Sequence, residues 1–155
     1  TPGLRIFEKY AFKCGGGVNH RMGLYDAAMI KENHIAWTDN LKNAVQKIRL
    51  NSPFTTHIII EAENIEQAKE AVLAGADSVL LDELSPETIK KNVQELRDLS
   101  INSLKKEVNK NLIIEVSGIN PEEISKYLIK GIDLISTSSS ITKSNWIDLS
   151  MRYIN

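Results

Sequence analysis

Ala74-Gly75-Ala76-Asp77-Ser78-Val79-Leu80-Leu81 and Lys130-Gly131-Ile132-Asp133-Leu134-Ile135-Ser136 are two versions of one phrase. Each reads as the end of a helix, a glycine that closes it, an aspartate and a short buried strand. The same unit twice, with strand and helix alternating between the copies, predicts a parallel α/β architecture. A right-handed series of such units closes into a barrel. A doubly wound open sheet is the competing architecture, but no glycine-rich dinucleotide fingerprint follows the first strand.

Working outward from the repeat, the other elements follow from periodicity and breakers. Leu4, Phe7, Tyr10, Ala11 and Cys14 recur at helical steps, so a helix is expected over 4–14, ended by Gly15-Gly16-Gly17. Ala27 to Ile30 is a short apolar run leading to Lys31, a strand. Asp39 or Asn40 can cap a helix over 41–50, and Ser52-Pro53 breaks it. The isoleucine-rich run His57 to Ala62 suits a buried parallel strand.

A helix over 65–74 leads into the repeat and the strand 78–81. Ser85-Pro86 starts another helix, to about Leu99, with a second over 101–108. Leu112 to Val116 is a strand. Asn120-Pro121-Glu122-Glu123 has the capping-box pattern of a helix start, with Gly131 as its end. The last strand is 134–136, and 145–153 is a final helix. The count is roughly five strands, fewer than a closed barrel needs. An earlier portion of the barrel is therefore expected before Thr1.

The bulk numbers exclude several classes. The chain has 155 residues with a formal net charge of −1. No global field favours nucleic acid or a membrane surface. No apolar run approaches the roughly 18 residues that span a bilayer. One cysteine, Cys14, permits no internal disulfide and fits a reducing, cytoplasmic setting.

In a barrel the site lies at the C-terminal ends of the strands. The polar residues there are Lys31 with Glu32, Asn33 and His34; Glu61 with Glu63; Asp82 with Glu83; Ser117 with Gly118; and the serines from Ser136 to Ser140. Asn19-His20-Arg21 stands upstream. One half of this set is cationic (His20, Arg21, Lys31, and His34 as a further candidate) and suits carboxylates. The other, Glu61 and Asp82, suits sugar hydroxyls, a magnesium ion or a developing oxocarbenium carbon. Ser117-Gly118 and the serine run can offer donors to a phosphate.

Each feature also has an ordinary reading. The triple glycine is a flexible turn, Asn-His-Arg is surface polarity, Lys31 is a solvated strand end, and the serine run is a loop. Cys14 reads as core rather than nucleophile. His57 precedes a strand and is given no role. Trp37 and Trp146 are too far apart for a stacking platform.

Several stretches resemble one family. They are Thr1-Pro2-Gly3-Leu4-Arg5, Lys9-Tyr10-Ala11, the block Cys14-Gly15-Gly16-Gly17-Val18-Asn19-His20-Arg21-Met22-Gly23-Leu24, and Ile30-Lys31-Glu32-Asn33-His34-Ile35. Glu61, Leu81-Asp82, Glu115-Val116-Ser117-Gly118 and Ile147-Asp148-Leu149-Ser150-Met151-Arg152 continue the pattern in order. Together they look like quinolinate phosphoribosyltransferase, the carboxylating nicotinate-nucleotide pyrophosphorylase. The resemblance implies an incomplete (β/α) barrel of the type II phosphoribosyltransferase kind, the C-terminal part of the catalytic domain over 1–155.

It implies phosphoribosyl transfer from phosphoribosyl pyrophosphate to quinolinate, with magnesium, giving nicotinate mononucleotide, pyrophosphate and carbon dioxide. His20, Arg21 and Lys31 would hold the quinolinate carboxylates. Glu61 and Asp82 would face the ribose and the magnesium, and Lys31, Glu61 and Asp82 would carry catalysis. Ser117, Gly118 and Ser138 would receive the 5′-phosphate. A homodimer or larger homo-oligomer is implied, because neighbouring subunits in the family complete each other's sites.

The chain also departs from the family. A Thr-Arg-Lys-Thr strand end that the family places before Thr1 is not in these residues, nor is a sandwich-like N-terminal domain. Ser117-Gly118-Ile119 is one residue shorter than the family's Ser-Gly-Gly or Ser-Gly-Asn stretch. Thr137-Ser138-Ser139-Ser140 stands where the family has Val-Gly-Ala-Leu, and Asp82-Glu83 replaces an Asp-Asn pair. These 155 residues by themselves are expected to show no appreciable activity. A molybdenum-uptake relative of the same fold, or a degenerate copy that binds ligand or oligomerises, is the alternative.

Overall fold

Alternation along the strands separates two faces, and this places everything else. The structure, a computed structural model, describes residues 1–38, 40–104, 111–145 and 147–154. Its five strands are β1 (Ala27–Ile30), β2 (His57–Ala62), β3 (Ser78–Asp82), β4 (Ile113–Ser117) and β5 (Leu134–Ile135). They form one sheet in the order β1-β2-β3-β4-β5, all parallel. Ile58, Ile60, Val79, Leu81, Ile114 and Val116 are fully buried on one face. They pack against Leu41 and Val45 of α3 (Leu41–Asn51), Ala68, Ala71 and Val72 of α4 (Ile65–Ala74), and Ile89, Val93 and Leu96 of α5 (Pro86–Leu104).

The residues between them in sequence face the other way. There only Ala27, Ile59 and Leu80, with Met29 against them, make a small apolar cluster. Sequential strand order with helices on one face is the arc of a (β/α) barrel. A doubly wound sheet would reverse its order and carry helices on both faces. The sheet is open at both edges, so the barrel is incomplete, as expected.

The repeated phrase turns out to be a clamp at the N-terminal ends of the strands. The Asp77 carboxylate accepts the Ile58 amide at 2.7 Å and Arg49 Nη2 at 2.5 Å. Asp133 accepts the Ile114 amide at 2.8 Å and pairs with Arg97. In return, Ile58 and Ile114 each accept the amide of their aspartate at 2.9 Å. Each arginine also donates to the carbonyl just before the strand it serves, Arg49 to Thr56 and Arg97 to Leu112. The same four-part device thus ties α3 to β2 and β3, and α5 to β4 and β5. In a barrel this end carries stability, leaving the opposite end for chemistry.

Several expectations are corrected. The segment after Asn120 is a 3-10 helix, Pro121–Tyr127, and Asn120 makes no side-chain cap bond. Glu123 pairs instead with Lys126 at 2.5 Å, so the capping box does not form, and Gly131 lies beyond the helix end. The helix from Pro86 runs unbroken to Leu104 rather than pausing at Leu99. The rest of the second helix expected to 108 lies outside the described residues, as do Asp39 as a cap and Trp146. Asn40 makes the cap, accepting the Asn43 amide at 3.0 Å.

No helix forms over the described residues 147–154. Ile147, Leu149, Met151 and Tyr153 are exposed there, so nothing covers an apolar helix face. The 3.6-residue pattern in α1 (Arg5–Cys14) is real, but α1 buries no residue and Cys14 is exposed, not core. Hydrogen bonds rather than packing hold α1, as described below. The strand of the second repeat is also less buried than expected. Leu134 is 46% exposed because β5 has no neighbour on its far side.

Two short helices were not expected as such: α2 (Glu32–Ala36), directly after β1, and α6 (Ser139–Thr142) inside the serine run. No helix among the described residues is long and apolar enough to cross a membrane.

Candidate active site

The strand faces that lack a helix cover converge on a polar layer at their C-terminal ends. Register sets this layer. Glu61 lies beside Leu80, Leu80 beside Glu115, and Glu115 beside Leu134. One step further on, Asp82 lies beside Ser117. Lys31 follows β1 at the level of Glu61, and its Nζ meets Glu61 Oε2 at 2.7 Å. That hydrogen bond holds the ammonium above the ordinary lysine range against the opposing effect of burial, with the charges of Glu61, Glu32 and Asp82 adding to it. Asp82 accepts no hydrogen bond among the described residues, so its oxygens are open to a ligand.

His20 and Arg21 reach this face from the segment between α1 and β1. His20 Nε2 stands 3.6 Å from Glu115 Oε2. The Arg21 guanidinium lies along β1, donating to the Ala27 carbonyl at 2.9 Å and contacting Met29 Sδ at 3.6 Å. Lys9 of α1 donates to the His20 carbonyl at 2.8 Å, and Asn19 Nδ2 donates back to the Lys9 carbonyl at 3.0 Å. These bonds tie α1 to the His20 segment, and Arg5 adds a bond to the Met22 carbonyl at 3.0 Å. The structure thus brings His20, Arg21, Lys31, Glu61 and Asp82 to one face of the sheet.

The phosphate-side candidates form two strand-end turns. Gly118 has φ +76°, a conformation that favours glycine. A Cβ there would come 2.7 Å from Glu83 Cγ, so the β3 and β4 turns touch at this point. Ser138 follows β5 and is exposed, its carbonyl accepting the Ile141 and Thr142 amides. The serine run is therefore a single helical turn rather than a plain loop.

Glu83 is the one non-glycine residue with positive φ, +53°, among the described residues. Asparagine tolerates this region better than glutamate does. Glu83→Asn is expected to raise stability by about 0.5–1 kcal/mol, read as a higher urea midpoint at unchanged slope.

His34 does not join the cationic group. Its Nδ1 accepts the Lys31 amide at 3.0 Å and so closes the start of α2. Reading strand ends alone passed over Glu115, which is 3% exposed. Burial works to raise its pKa, but hydrogen bonds from His20 and Ser136 and the charges of His20 and His57 bring it below the usual glutamate range. A charge inside Ile113-Ile114-Glu115-Val116, two residues before Ser117 and so on its face, was the available signal. His57 also sits on this face, its Nε2 2.5 Å from Ser78 Oγ.

Magnesium can be tested against these residues. No group of three or more His, Cys, Asp or Glu side chains among the described residues forms a metal cage. Magnesium, however, is commonly bound through one or two carboxylates together with substrate phosphates. The open Asp82 carboxylate and the second oxygen of Glu61 are hard donors of that kind, so the set fits.

Comparison with known proteins agrees with the fold. The family described as quinolinate phosphoribosyl transferase, C-terminal domain, matches residues 1–152. The chain is 41% identical over 152 residues to the probable carboxylating nicotinate-nucleotide pyrophosphorylase of Methanothermobacter thermautotrophicus, covering 97% of this chain and 52% of that protein. It is 37% identical to the Synechocystis protein of the same name, over 99% of this chain and 50% of the relative. The crystal structure of NadC from Streptococcus pyogenes superposes with a TM-score of 0.82 at 36% identity, over 99% of this chain and 50% of that one. The chain spans about half the length of these relatives. Its matched residues, sheet order and strand-end layer together place it in the quinolinate phosphoribosyl transferase family, as a C-terminal domain.

Proposed function

We propose that this chain forms the barrel side of an active site that transfers a phosphoribosyl group from phosphoribosyl pyrophosphate to quinolinate, with loss of carbon dioxide. The observation that carries the reading is the strand-end layer. A lysine and a glutamate stand at 2.7 Å, beside a carboxylate free of hydrogen bonds and a Ser-Gly turn. A cytoplasmic, homo-oligomeric enzyme of pyridine-nucleotide synthesis goes with it.

The roles follow from the chemistry of each group. Arg21 and Lys31 bring positive charge to a substrate with two carboxylates, through charge-assisted hydrogen bonds. His20 lines the same wall. A carboxylate that takes Lys31 from Glu61 leaves Glu61 free to face the sugar. There its charge stabilises the cationic character that develops at the anomeric carbon. Asp82 and Glu61 would hold magnesium, which supplies neutralisation of the pyrophosphate leaving group. Ser117 and Gly118 offer a hydroxyl and a backbone amide to the 5′-phosphate, and Ser138 adds a second turn.

Holding the ring nitrogen against the anomeric carbon removes the entropy cost of their encounter. Once bonded to the sugar, that nitrogen is cationic and stabilises the electron pair left on the adjacent ring carbon as carbon dioxide departs, and a proton from water then takes up that pair. No enzyme nucleophile is required.

The test is turnover by the full-length protein. Pyrophosphate and carbon dioxide should be released in equal amounts, only when quinolinate, phosphoribosyl pyrophosphate and magnesium are all present. Binding of quinolinate without any turnover would overturn the reading in favour of a ligand-binding relative.

A further inference from the structure

His20 is hydrogen-bonded through Nδ1 and faces a carboxylate through Nε2. The Arg21 amide donates to Nδ1 at 2.8 Å. A backbone N–H only donates, so Nδ1 presents its lone pair and the ring proton belongs on Nε2. Nε2 faces the Glu115 carboxylate at 3.6 Å. Glu115 is buried on β4, whereas the next residue, Arg21, lies on β1 against Ala27 and Met29. Two adjacent residues therefore bridge strands at opposite sides of the sheet. The segment carrying them makes its other side-chain bonds to α1, β1 and its own turn.

We propose that Glu115 is a positioning residue: facing the His20 Nε2–H, it latches the α1–β1 segment across the open face of the sheet and so aims Arg21 at the substrate carboxylate. This rests on the functional reading above and deepens it. The carboxylate is held ionised where it sits, which keeps it an acceptor. The wall then presents Arg21 and Lys31 to the substrate carboxylates, with His20 as the strut that places Arg21. Glu115 acts through His20, and Ser136 supports the same carboxylate.

Two measurements on the full-length protein test this separately. With histidine labelled in nitrogen, His20 should show an unprotonated Nδ1 and a protonated Nε2. Glu115→Ala should leave that tautomer in place, since the Arg21 amide fixes it, but shift the Nε2–H resonance as its carboxylate neighbour is lost, and Glu115→Gln, which keeps an acceptor oxygen, should restore it. In steady-state kinetics, Glu115→Ala should raise the KM for quinolinate by roughly tenfold, the equivalent of one lost hydrogen bond. The KM for phosphoribosyl pyrophosphate should not move, and Glu115→Gln should recover most of the loss.

A protonated Nδ1 in the unaltered protein would overturn the proposal without any variant having to fold. So would an equal rise of both KM values that glutamine fails to rescue, which marks general damage. If the protein turns over neither substrate, the functional reading fails, and the Nε2–H resonance in the unaltered protein and in Glu115→Ala decides the latch.

Discussion

Asp77→Ala is expected to destabilise the protein by about 2–4 kcal/mol, because a buried strand amide and a half-buried guanidinium lose their shared acceptor. Asp77 is 3% exposed, and its two oxygens serve different partners, the Arg49 guanidinium and the Ile58 amide. Alanine leaves both without that acceptor. The Ile58 amide opens the central strand β2, whose residues Ile58 and Ile60 are fully buried. Lost acceptor and lost strand alignment therefore fall on the same place.

The second copy of the clamp is the internal control. The Asp133 side chain is 44% exposed and leads into the edge strand β5. Water can replace much of what alanine removes there, so Asp133→Ala should cost only about 1–2 kcal/mol. Urea unfolding followed by circular dichroism reads both. An equal loss at the two positions would show that burial does not set the strength of the clamp.

Lys31→Met should lower kcat/KM for quinolinate by on the order of 10²- to 10³-fold in the full-length protein. The methionine keeps most of the stem but removes the charge, so the loss reports the ammonium itself. Glu61 then keeps its negative charge beside an incoming dianion, which adds repulsion to the missing attraction. Lys31→Arg is expected to rescue only in part, because the longer, planar guanidinium carries its donors past the position the ammonium holds at 2.7 Å from Glu61. Stability should change by less than about 1 kcal/mol, since the Lys31 side chain is 44% exposed and such pairs contribute little to folding. A large drop in melting temperature together with full activity would reverse the assignment of this residue from chemistry to scaffold.

The sequence by itself determined the repeating frame. The centres of β2 and β3, Ile58-Ile59-Ile60 and Val79-Leu80-Leu81, are apolar throughout, and the glycines and prolines that punctuate the chain are local signals. Local signals suffice wherever a segment has a buried face to satisfy. They misled where that condition was missing. The helix α1 forms as expected but its periodic face is bare, and 147–154 forms no helix among the described residues. After Asn120, Glu123 found Lys126 instead of a cap.

The site was legible as a list of strand ends, because a parallel strand delivers its C-terminal residue to a predictable rim. Which members of that list touch was decided only by the tertiary structure. Lys31 meets Glu61, and His20 meets Glu115, through strand register and through a segment that crosses the sheet. Register is a property of neighbouring strands, and a slip of one residue would turn each of these side chains to the helix-covered face. Glu115 shows the division most clearly. Alternation places it on the same face as Ser117, but its burial and its imidazole partner exist only because a distant part of the chain folds over it.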